Sequence, residues 1–222
     1  MVLYYRSFLT IYIKLFMVTN IKLIINHQRA LRRCHQCPDM IPPVITCQPI
    51  LSKILLVGQA PGEKEGALDR HFAWTAGKTL FKWFESIGMD EGQFRTHIYM
   101  SAVCRCFPGK NPKGGDRVPS QQEIQNCSIW LKREFELLQP ELVLLVGSLA
   151  IRQFMEAKKL VDVIGQSFEQ EIHGRRVDII PLPHPSGAST WHRMEPGIGL
   201  LQQALSLIEK HPAWRNLKAR IY

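Results

Sequence analysis

Short apolar runs alternate with amphipathic segments along most of the chain. Residues 53–58 and 141–147 are runs rich in Ile, Leu and Val that end in glycine, which is typical of buried strands, and another strand is predicted over residues 98–103. Apolar positions three and four residues apart predict the helices between them. These helices are expected over residues 77–87, 120–138 and 199–210, and a hairpin over residues 168–172 and 177–182, whose second strand runs into the sheet. The alternation predicts the α/β class: a single three-layer α/β/α domain with a central, mostly parallel four-stranded sheet.

The 222 residues fit one such domain, which is expected over residues 26–212. Residues 1–25 are expected to be an N-terminal extension, either disordered or, because Met17 offers a second start, partly an artefact of start-site choice. Their apolar run is interrupted by charges well short of the ~20 residues that cross a bilayer, and no signal-cleavage site follows. We therefore expect a cytoplasmic protein with no membrane partner. Residues 213–222 are expected to be a basic C-terminal tail.

Basic residues outnumber acidic ones by 28 to 19, so the formal charge is +9. The excess is concentrated in residues 1–39, 105–117 and 210–222, which carry +5, +3 and +4. Localised positive charge favours a polyanionic partner such as DNA, although three solvated segments would explain it equally well. The composition, 45% hydrophobic and 21% charged, excludes a disordered or fibrous protein.

The six cysteines do not indicate a disulfide framework, because no export signal precedes them. A C-x-x-C pair ends a helix predicted over residues 27–36, and two distant thiols would complete four ligands for zinc or a [4Fe–4S] cluster. The pair is Cys34 and Cys37, and the distant thiols are Cys104, Cys106 and Cys127. Free buried thiols are the alternative. Cys104 competes with Cys106 for one position, and Cys47 is expected to be a buried thiol without a ligand role.

Two loops at the expected carboxyl edge of the sheet carry unusual chemistry. In parallel α/β sheets ligands bind at this edge. The first strand ends in a Gly/Pro turn, residues 58–62, that lets backbone N–H groups approach a ligand. The hairpin strand runs into His184, which lies between Pro183 and Pro185. A histidine there has a restrained backbone and cannot lie inside a helix, which favours a functional role.

Together these motifs resemble the uracil-DNA glycosylase superfamily, and most closely its iron–sulfur branch, families 4 and 5. Residues 58–62 (GQAPG) look like the first motif of that superfamily, and residues 184–187 (HPSG) look like the second. Phe72 is similar to the aromatic residue that stacks on the flipped base. Cys34, Cys37, Cys106 and Cys127 look like the four cluster ligands of the iron–sulfur branch. The likeness covers about residues 27–210 in the order of the family.

The resemblance implies a monomeric, monofunctional DNA glycosylase that flips uracil or another deaminated base out of DNA and cleaves its N-glycosidic bond in base-excision repair. It implies that His184 donates a hydrogen bond to the departing base. It also implies a structural [4Fe–4S] cluster. The base-binding positions would be Gly58, Gln59, Ala60, Phe72, Ala102 and His184, with Gln59 and Ala60 acting through their backbone. The DNA-binding positions would be Lys110, Lys113, Arg117 and Ser186, with Gly187, Ala188 and Ser189 in a wedge that fills the vacated stack.

The sequence departs from the family pattern where a catalytic carboxylate is expected. Many iron–sulfur relatives have Glu where this chain has Gln59, and the best known branch has Asp where it has Ala60. An amide cannot act as a base for water, so Gln59 would only orient it, or a nearby carboxylate would take over. The candidates are Glu63, Glu65 and Asp69.

A second departure affects specificity, because the family-4 pattern has Asn at the position of Ala102. That Asn reads the uracil edge, so its loss predicts looser selectivity, with hypoxanthine among the substrates. Two other functions remain open at this level. The missing carboxylate is compatible with a non-catalytic, damaged-DNA-binding relative. A redox protein is also conceivable, but it would leave His184 and Phe72 unexplained.

Overall fold

The computed structural model describes residues 19–221 and contains one five-stranded sheet in this part of the chain. The strand order is β2-β1-β3-β5-β4. Four strands are parallel, and β4 pairs antiparallel with β5 at one edge. The strands are β1 (Ile54–Gly58), β2 (Tyr99–Ala102), β3 (Leu142–Val146), β4 (Phe168–Ile172) and β5 (Arg175–Leu182).

The α/β class and the mostly parallel sheet are confirmed, with five strands where four were predicted. The additional strand is β4, the first arm of the hairpin, which also joins the sheet. His173 and Gly174 both have positive φ, so the turn is tight and Ile172 pairs directly with Arg175. The burial of β4 alternates between half-buried and exposed residues, as expected of an edge strand.

The helices predicted over residues 77–87, 120–138 and 199–210 lie close to their observed positions. The first helix, α1, occupies residues 19–31 of the described chain. The others are α2 (Glu63–Leu68), α3 (Thr75–Glu85), α4 (Glu91–His97), α5 (Gln121–Leu138), α6 (Ser148–Phe154), α7 (Gly197–Lys210) and α8 (Pro212–Ile221). A capping box between Ser120 and Glu123 begins α5, as the sequence predicts. Within residues 19–221, no helix is long and apolar enough to span a membrane.

The terminal segments of the described chain contain helices that were not predicted at these positions. The helix expected over residues 27–36 lies earlier, at 19–31, and Ile24 on it is fully buried. The expected C-terminal tail is helix α8, whose Trp214 is fully buried and stacks on Phe84 with 5.7 Å between ring centroids. A single large aromatic residue anchors this segment despite its basic composition. The expectations for residues 1–18 lie outside the described residues.

The register of the sheet places the predicted motifs side by side. Gly58, the last residue of β1, pairs with Ala102, the last residue of β2. On the other side of β1, β3 ends at Val146 beside Leu182 of β5, two residues before His184. The carboxyl ends of these four strands therefore converge on one edge, where a ligand is expected.

Candidate active site

A cavity of about 470 Å³ opens at the carboxyl edge of the sheet. Its lining joins the turn after β1, the segment before α3, the end of β2, the loop after β2 and the segment after β5. All six predicted base-binding residues contribute to it: Gly58, Gln59, Ala60, Phe72, Ala102 and His184. Segments far apart in sequence thus form one pocket.

The ring of Phe72 packs over the backbone of Gly58. A Cβ atom at Gly58 would lie 3.0 Å from Cζ of Phe72, so a side chain there would crowd the ring. Phe72 itself has φ 51°, a left-handed conformation that is unusual for an aromatic residue. The surrounding structure must hold this conformation, because it is unfavourable for a residue with a side chain.

His184 is held in one tautomer by its own loop. The backbone N–H of Ser186 donates a hydrogen bond to Nδ1 of His184 at 3.2 Å. A ring nitrogen that accepts a hydrogen bond carries no proton, so the neutral ring bears its proton on Nε2. Burial, assisted by the nearby His192, lowers the pKa of His184 from its ordinary value. The neutral ring is therefore the form favoured at physiological pH.

Gly147, directly after β3, makes room for this ring. Its φ is +89°, and a Cβ there would lie 2.9 Å from Cδ2 of His184. Because Gly147 has no side chain, the imidazole of His184 packs against its backbone.

Of the three candidate carboxylates, only Glu65 lines the cavity. Burial raises the pKa of Glu65 to about 7, although backbone hydrogen bonds from Phe72 and Gly62 and the charge of Arg95 act to lower it. Glu63 instead faces Lys110, with 3.3 Å between Oε2 and Nζ. Asp69 pairs with Arg32 at 3.0 Å on the surface. Glu65 lies on α2, and its position could not be read from the sequence.

Two cavity residues were missed by sequence reasoning. His71 is buried, lines the cavity, and has no hydrogen-bond partner at Nε2 among residues 19–221. Burial is the main cause that lowers the pKa of His71 to about 3, so the ring is neutral. Asp116 also lines the cavity, from the loop after β2. Its place in a basic, glycine-rich loop gave no signal of this contact.

The predicted basic DNA-binding loop is largely neutralised by carboxylates. Lys110 contacts Asp116 at 2.8 Å as well as Glu63. Arg117 makes a two-pronged pair with Glu123 at 2.7 and 2.8 Å and donates to the carbonyl of Pro108. Arg117 therefore braces the loop against the start of α5. Lys113 is exposed and forms no ion pair with the described residues.

The segment after His184 is open to solvent at the cavity. Ser186 and Ala188 line the cavity, Gly187 and Ala188 are exposed, and Ser189 is half-buried. Any Cβ at Gly187 would meet no atom within 4 Å. This segment therefore has the exposure that a wedge entering a base stack needs.

The four candidate cluster ligands surround a second cavity of about 230 Å³. Cys34 and Cys37 lie in the loop after α1, Cys106 follows β2, and Cys127 lies on α5. Among residues 19–221, no three metal-binding side chains converge closely enough for a single metal ion. Four thiols around one cavity fit a larger group such as a [4Fe–4S] cluster. A hydrogen bond from Cys104 is the main cause that lowers the pKa of Cys127 to about 6.

A buried ion pair adjoins the thiol cavity. Arg105, which also lines that cavity, makes two hydrogen bonds to Glu134 at 2.9 and 2.6 Å, and Glu134 also accepts from Tyr99 and Ser101. Burial alone would raise the pKa of Glu134, but the charge of Arg105 holds it low. All of these hydrogen-bonding groups are satisfied, which is the condition for a stable buried network.

The two cavities are linked through the backbone. Val103 and Cys104 donate hydrogen bonds to the carbonyls of Gly58 and Gln59 at 2.9 and 3.0 Å. The turn of the first cavity is therefore fixed by the segment that leads to the thiols. A pocket at this edge with a buried aromatic ring and a neutral histidine suits a planar, polar group.

Comparison with known proteins assigns the family. A model of the uracil DNA glycosylase superfamily matches residues 45–218, well over half of the chain. The chain belongs to this superfamily, and the predicted resemblance is confirmed.

Curated relatives include uracil-DNA glycosylases of two types. A type-4 uracil-DNA glycosylase of Archaeoglobus fulgidus is 29% identical over 140 residues, 61% of this chain and 66% of that protein. A type-4 uracil-DNA glycosylase of Thermotoga maritima is 28% identical over 160 residues, 70% of this chain and 77% of that protein. A type-5 uracil-DNA glycosylase of Pyrobaculum aerophilum is 27% identical over 148 residues, 61% of this chain and 62% of that protein. The chain thus spans slightly less than two thirds of the Archaeoglobus protein that it matches.

Proposed function

We propose that this protein is a monofunctional DNA glycosylase that removes uracil, and other deaminated bases, from DNA. The observation that carries the proposal is the single cavity that joins the turn at 58–62, Phe72 and the neutral, Nε2-protonated His184. The names of its type-4 and type-5 relatives support the same activity.

The cavity supplies the parts that hold a flipped base. The Phe72 ring would stack on the base, an interaction worth ~1–3 kcal/mol in single-strand binding proteins. The backbone at Gln59 and Ala60 would hydrogen-bond to the base edge. Because both residues also line the cavity, the base would reach their N–H groups without displacing side chains.

Cleavage of the N-glycosidic bond requires stabilisation of the negative charge on the departing base. When the bond between C1′ and the base nitrogen breaks, the electron pair leaves with the base and the sugar becomes oxocarbenium-like. Nε2–H of His184 would donate to the base oxygen on which this negative charge gathers, as an oxyanion hole does. A neutral imidazole suits this role, because it does not need to transfer its proton.

Glu65 is the carboxylate best suited to activate water. It lines the cavity, whereas Glu63 and Asp69 are engaged elsewhere by cations. Its raised pKa matches a general base that works near neutral pH. Glu65 would accept a proton from the water whose oxygen bonds to C1′, and the side-chain amide of Gln59 would orient that water.

The substrate range would extend beyond uracil. Ala102 leaves a small, apolar surface at the end of β2, where an Asn would read the uracil edge with donor and acceptor together. Without that reader the pocket should also accept hypoxanthine.

DNA binding would rest on the open segment 186–189 and on Lys113. The side chain of Ser186 would contact a phosphate, and residues 187–189 would enter the duplex as the base leaves. Lys110 would reach phosphates only by releasing Glu63 and Asp116. Arg117 would act mainly by holding the loop in place.

The four thiols would hold a [4Fe–4S] cluster, with Cys34 and Cys37 in one loop and Cys106 and Cys127 opposite them. Such a cluster would supply a structural cross-link between the loop after α1, the segment after β2 and α5. That link would fix the backbone at 103–104 and, through it, the turn at 58–59.

The test is a base-release assay on oligonucleotides that contain uracil, hypoxanthine or xanthine, single-stranded and paired. The protein is purified without oxygen, and alkali-labile abasic sites are scored. The proposal predicts release of at least uracil. Tight binding without release of any base would instead identify the damaged-DNA-binding relative, which the position of Glu65 argues against.

A further inference from the structure

Arg95 on α4 binds the backbone of His71 and Phe72, two consecutive residues that line the cavity with their rings. Its guanidinium donates to the carbonyl of His71 at 2.8 Å and to the carbonyl of Phe72 at 3.0 Å. Both residues line the cavity. Arg95 lies behind this segment and is not part of the cavity lining, so it would not touch the substrate.

The guanidinium is itself fixed on its other sides. Nε donates to Glu91 at 2.8 Å, one turn earlier on α4. Its Cζ lies 4.5 Å from the centroid of the Phe81 ring on α3. The guanidinium is planar, so when Glu91 and the Phe81 ring hold it, its two terminal nitrogens point in a defined direction. The two carbonyls that it meets belong to adjacent residues, so the contact fixes the peptide between them.

This peptide needs such support. Phe72 has φ 51°, and its carbonyl approaches Gly77 so closely that any side chain at Gly77 would collide with it. Carbonyl groups in a left-handed turn do not point at the N–H groups of a regular helix or sheet. A buried carbonyl that finds no donor destabilises the fold. Arg95 satisfies both carbonyls that it contacts. In the same turn the backbone N–H of Phe72 donates a hydrogen bond to the Glu65 carboxylate, and the Phe72 ring lies over Gly58.

We infer that Arg95 is a positioning residue, which holds Phe72 in its left-handed conformation so that the ring forms the base-stacking platform. The stacking role of Phe72 rests on the proposed function. The contacts by which Arg95 holds the Phe72 backbone do not depend on it. Arg95 would act on base stacking through Phe72, and its charge also lowers the pKa of Glu65.

The test is a double-mutant cycle of Arg95→Met and Phe72→Ala on kcat/KM for base release, measured well above pH 7 so that Glu65 is ionised in every variant. Each single variant should lower kcat/KM by about 5- to 150-fold, the range equivalent to loss of one base-stacking contact. The double variant should be no worse than Phe72→Ala. Losses that multiply, or an Arg95→Met variant as active as the control, would overturn the inference.

The matched control is Arg133→Met, which also removes one positive charge. Arg133 pairs with Glu136 on the surface of α5 and binds no carbonyl in the described residues. Its activity should stay within about twofold of wild type, since exposed pairs contribute little. If Arg95→Met does not fold, Arg95→Lys replaces it. A lysine retains the charge but cannot bridge both carbonyls as a fork, so an intermediate loss is expected.

Amide hydrogen exchange over residues 70–73 provides a readout that does not depend on activity. Exchange should be faster in Arg95→Met than in Arg133→Met, and equal rates would overturn the inference. A wild-type protein that releases no base would refute the proposed function only, and the exchange comparison would still decide the role of Arg95.

Discussion

The backbone N–H of Ser186 donates a hydrogen bond to Nδ1 of His184 at 3.2 Å. The bond spans two residues and lies within one loop, so the loop itself selects the tautomer. With Nδ1 occupied as an acceptor, the ring has a single N–H donor, at Nε2. The catalytic proposal depends on this donor, and it leads to the first prediction.

His184→Ala should lower the rate of base release by ~10²–10³, the usual cost of one such donor. The rate falls because the negative charge on the departing base loses its hydrogen bond, whereas the stacking platform is untouched. Single-turnover kinetics will separate the two steps, with the affinity for substrate DNA nearly unchanged. A loss of less than tenfold would mean that another group carries the charge.

Glu65→Gln should abolish the acidic limb of the pH–rate profile. Because burial raises the pKa of Glu65 to about 7, the carboxylate that accepts the proton is lost as the pH falls through about 7. Base release by the wild type should therefore decline below that pH. The pKa of His184 is lowered from its ordinary value, so its protonation would set in at more acidic pH.

Two other carboxylates provide matched controls for Glu65. Glu63→Gln and Asp69→Asn remove groups that pair with Lys110 and Arg32 outside the cavity. Both variants should retain the wild-type limb and most of the rate. If one of them removes the limb while Glu65→Gln keeps it, the assignment of the base is refuted.

Gly147→Ala should reduce both stability and activity, because its Cβ would lie 2.9 Å from the His184 ring. Gly174→Ala is the control. It has a similar φ of +74° but no atom within 4 Å of the added Cβ. Both variants should lose roughly 1 kcal/mol or more of unfolding free energy through backbone strain. Only Gly147→Ala should also slow base release, and equal activities would show that the His184 contact is unimportant.

Cys106→Ser should lose bound iron and the brown colour of an iron–sulfur protein, since one of four thiolates is missing. Cys47→Ser is the control, because Cys47 lies outside the thiol cavity and accepts a hydrogen bond from Gln28. Iron analysis of both proteins, purified without oxygen, gives the answer. Full iron retention in Cys106→Ser would reject Cys106 as a ligand.

Much of the fold could be predicted, because the strongest signals are local. Helix α5 begins at a capping box and ends where its apolar periodicity ends, and both features are explicit in the sequence. Strands β1 and β3 are uninterrupted apolar runs. The short helix α2 was missed because it has no buried residue and therefore no apolar periodicity. The start of α1 was missed because the burial of its Ile24 depends on packing with distant segments.

The sequence predicted the motif residues of the candidate site, but it did not predict which charged side chains pair with one another or line the cavity. His184 and Phe72 carry signals in their neighbours, a pair of prolines and a recognisable motif. The choice among Glu63, Glu65 and Asp69 depends on which cations lie nearby in space, and the sequence does not show this. For the same reason the pairing of Arg117 with Glu123, six residues away, was not expected.

The most direct test of the central claim is a crystal structure of the Glu65→Gln variant with a uracil-containing oligonucleotide. The account predicts uracil inside the cavity, stacked on Phe72, with a base oxygen roughly 2.7–3.2 Å from Nε2 of His184. A uracil that remains stacked in the DNA, or one bound with Nε2 facing away from it, would contradict the account.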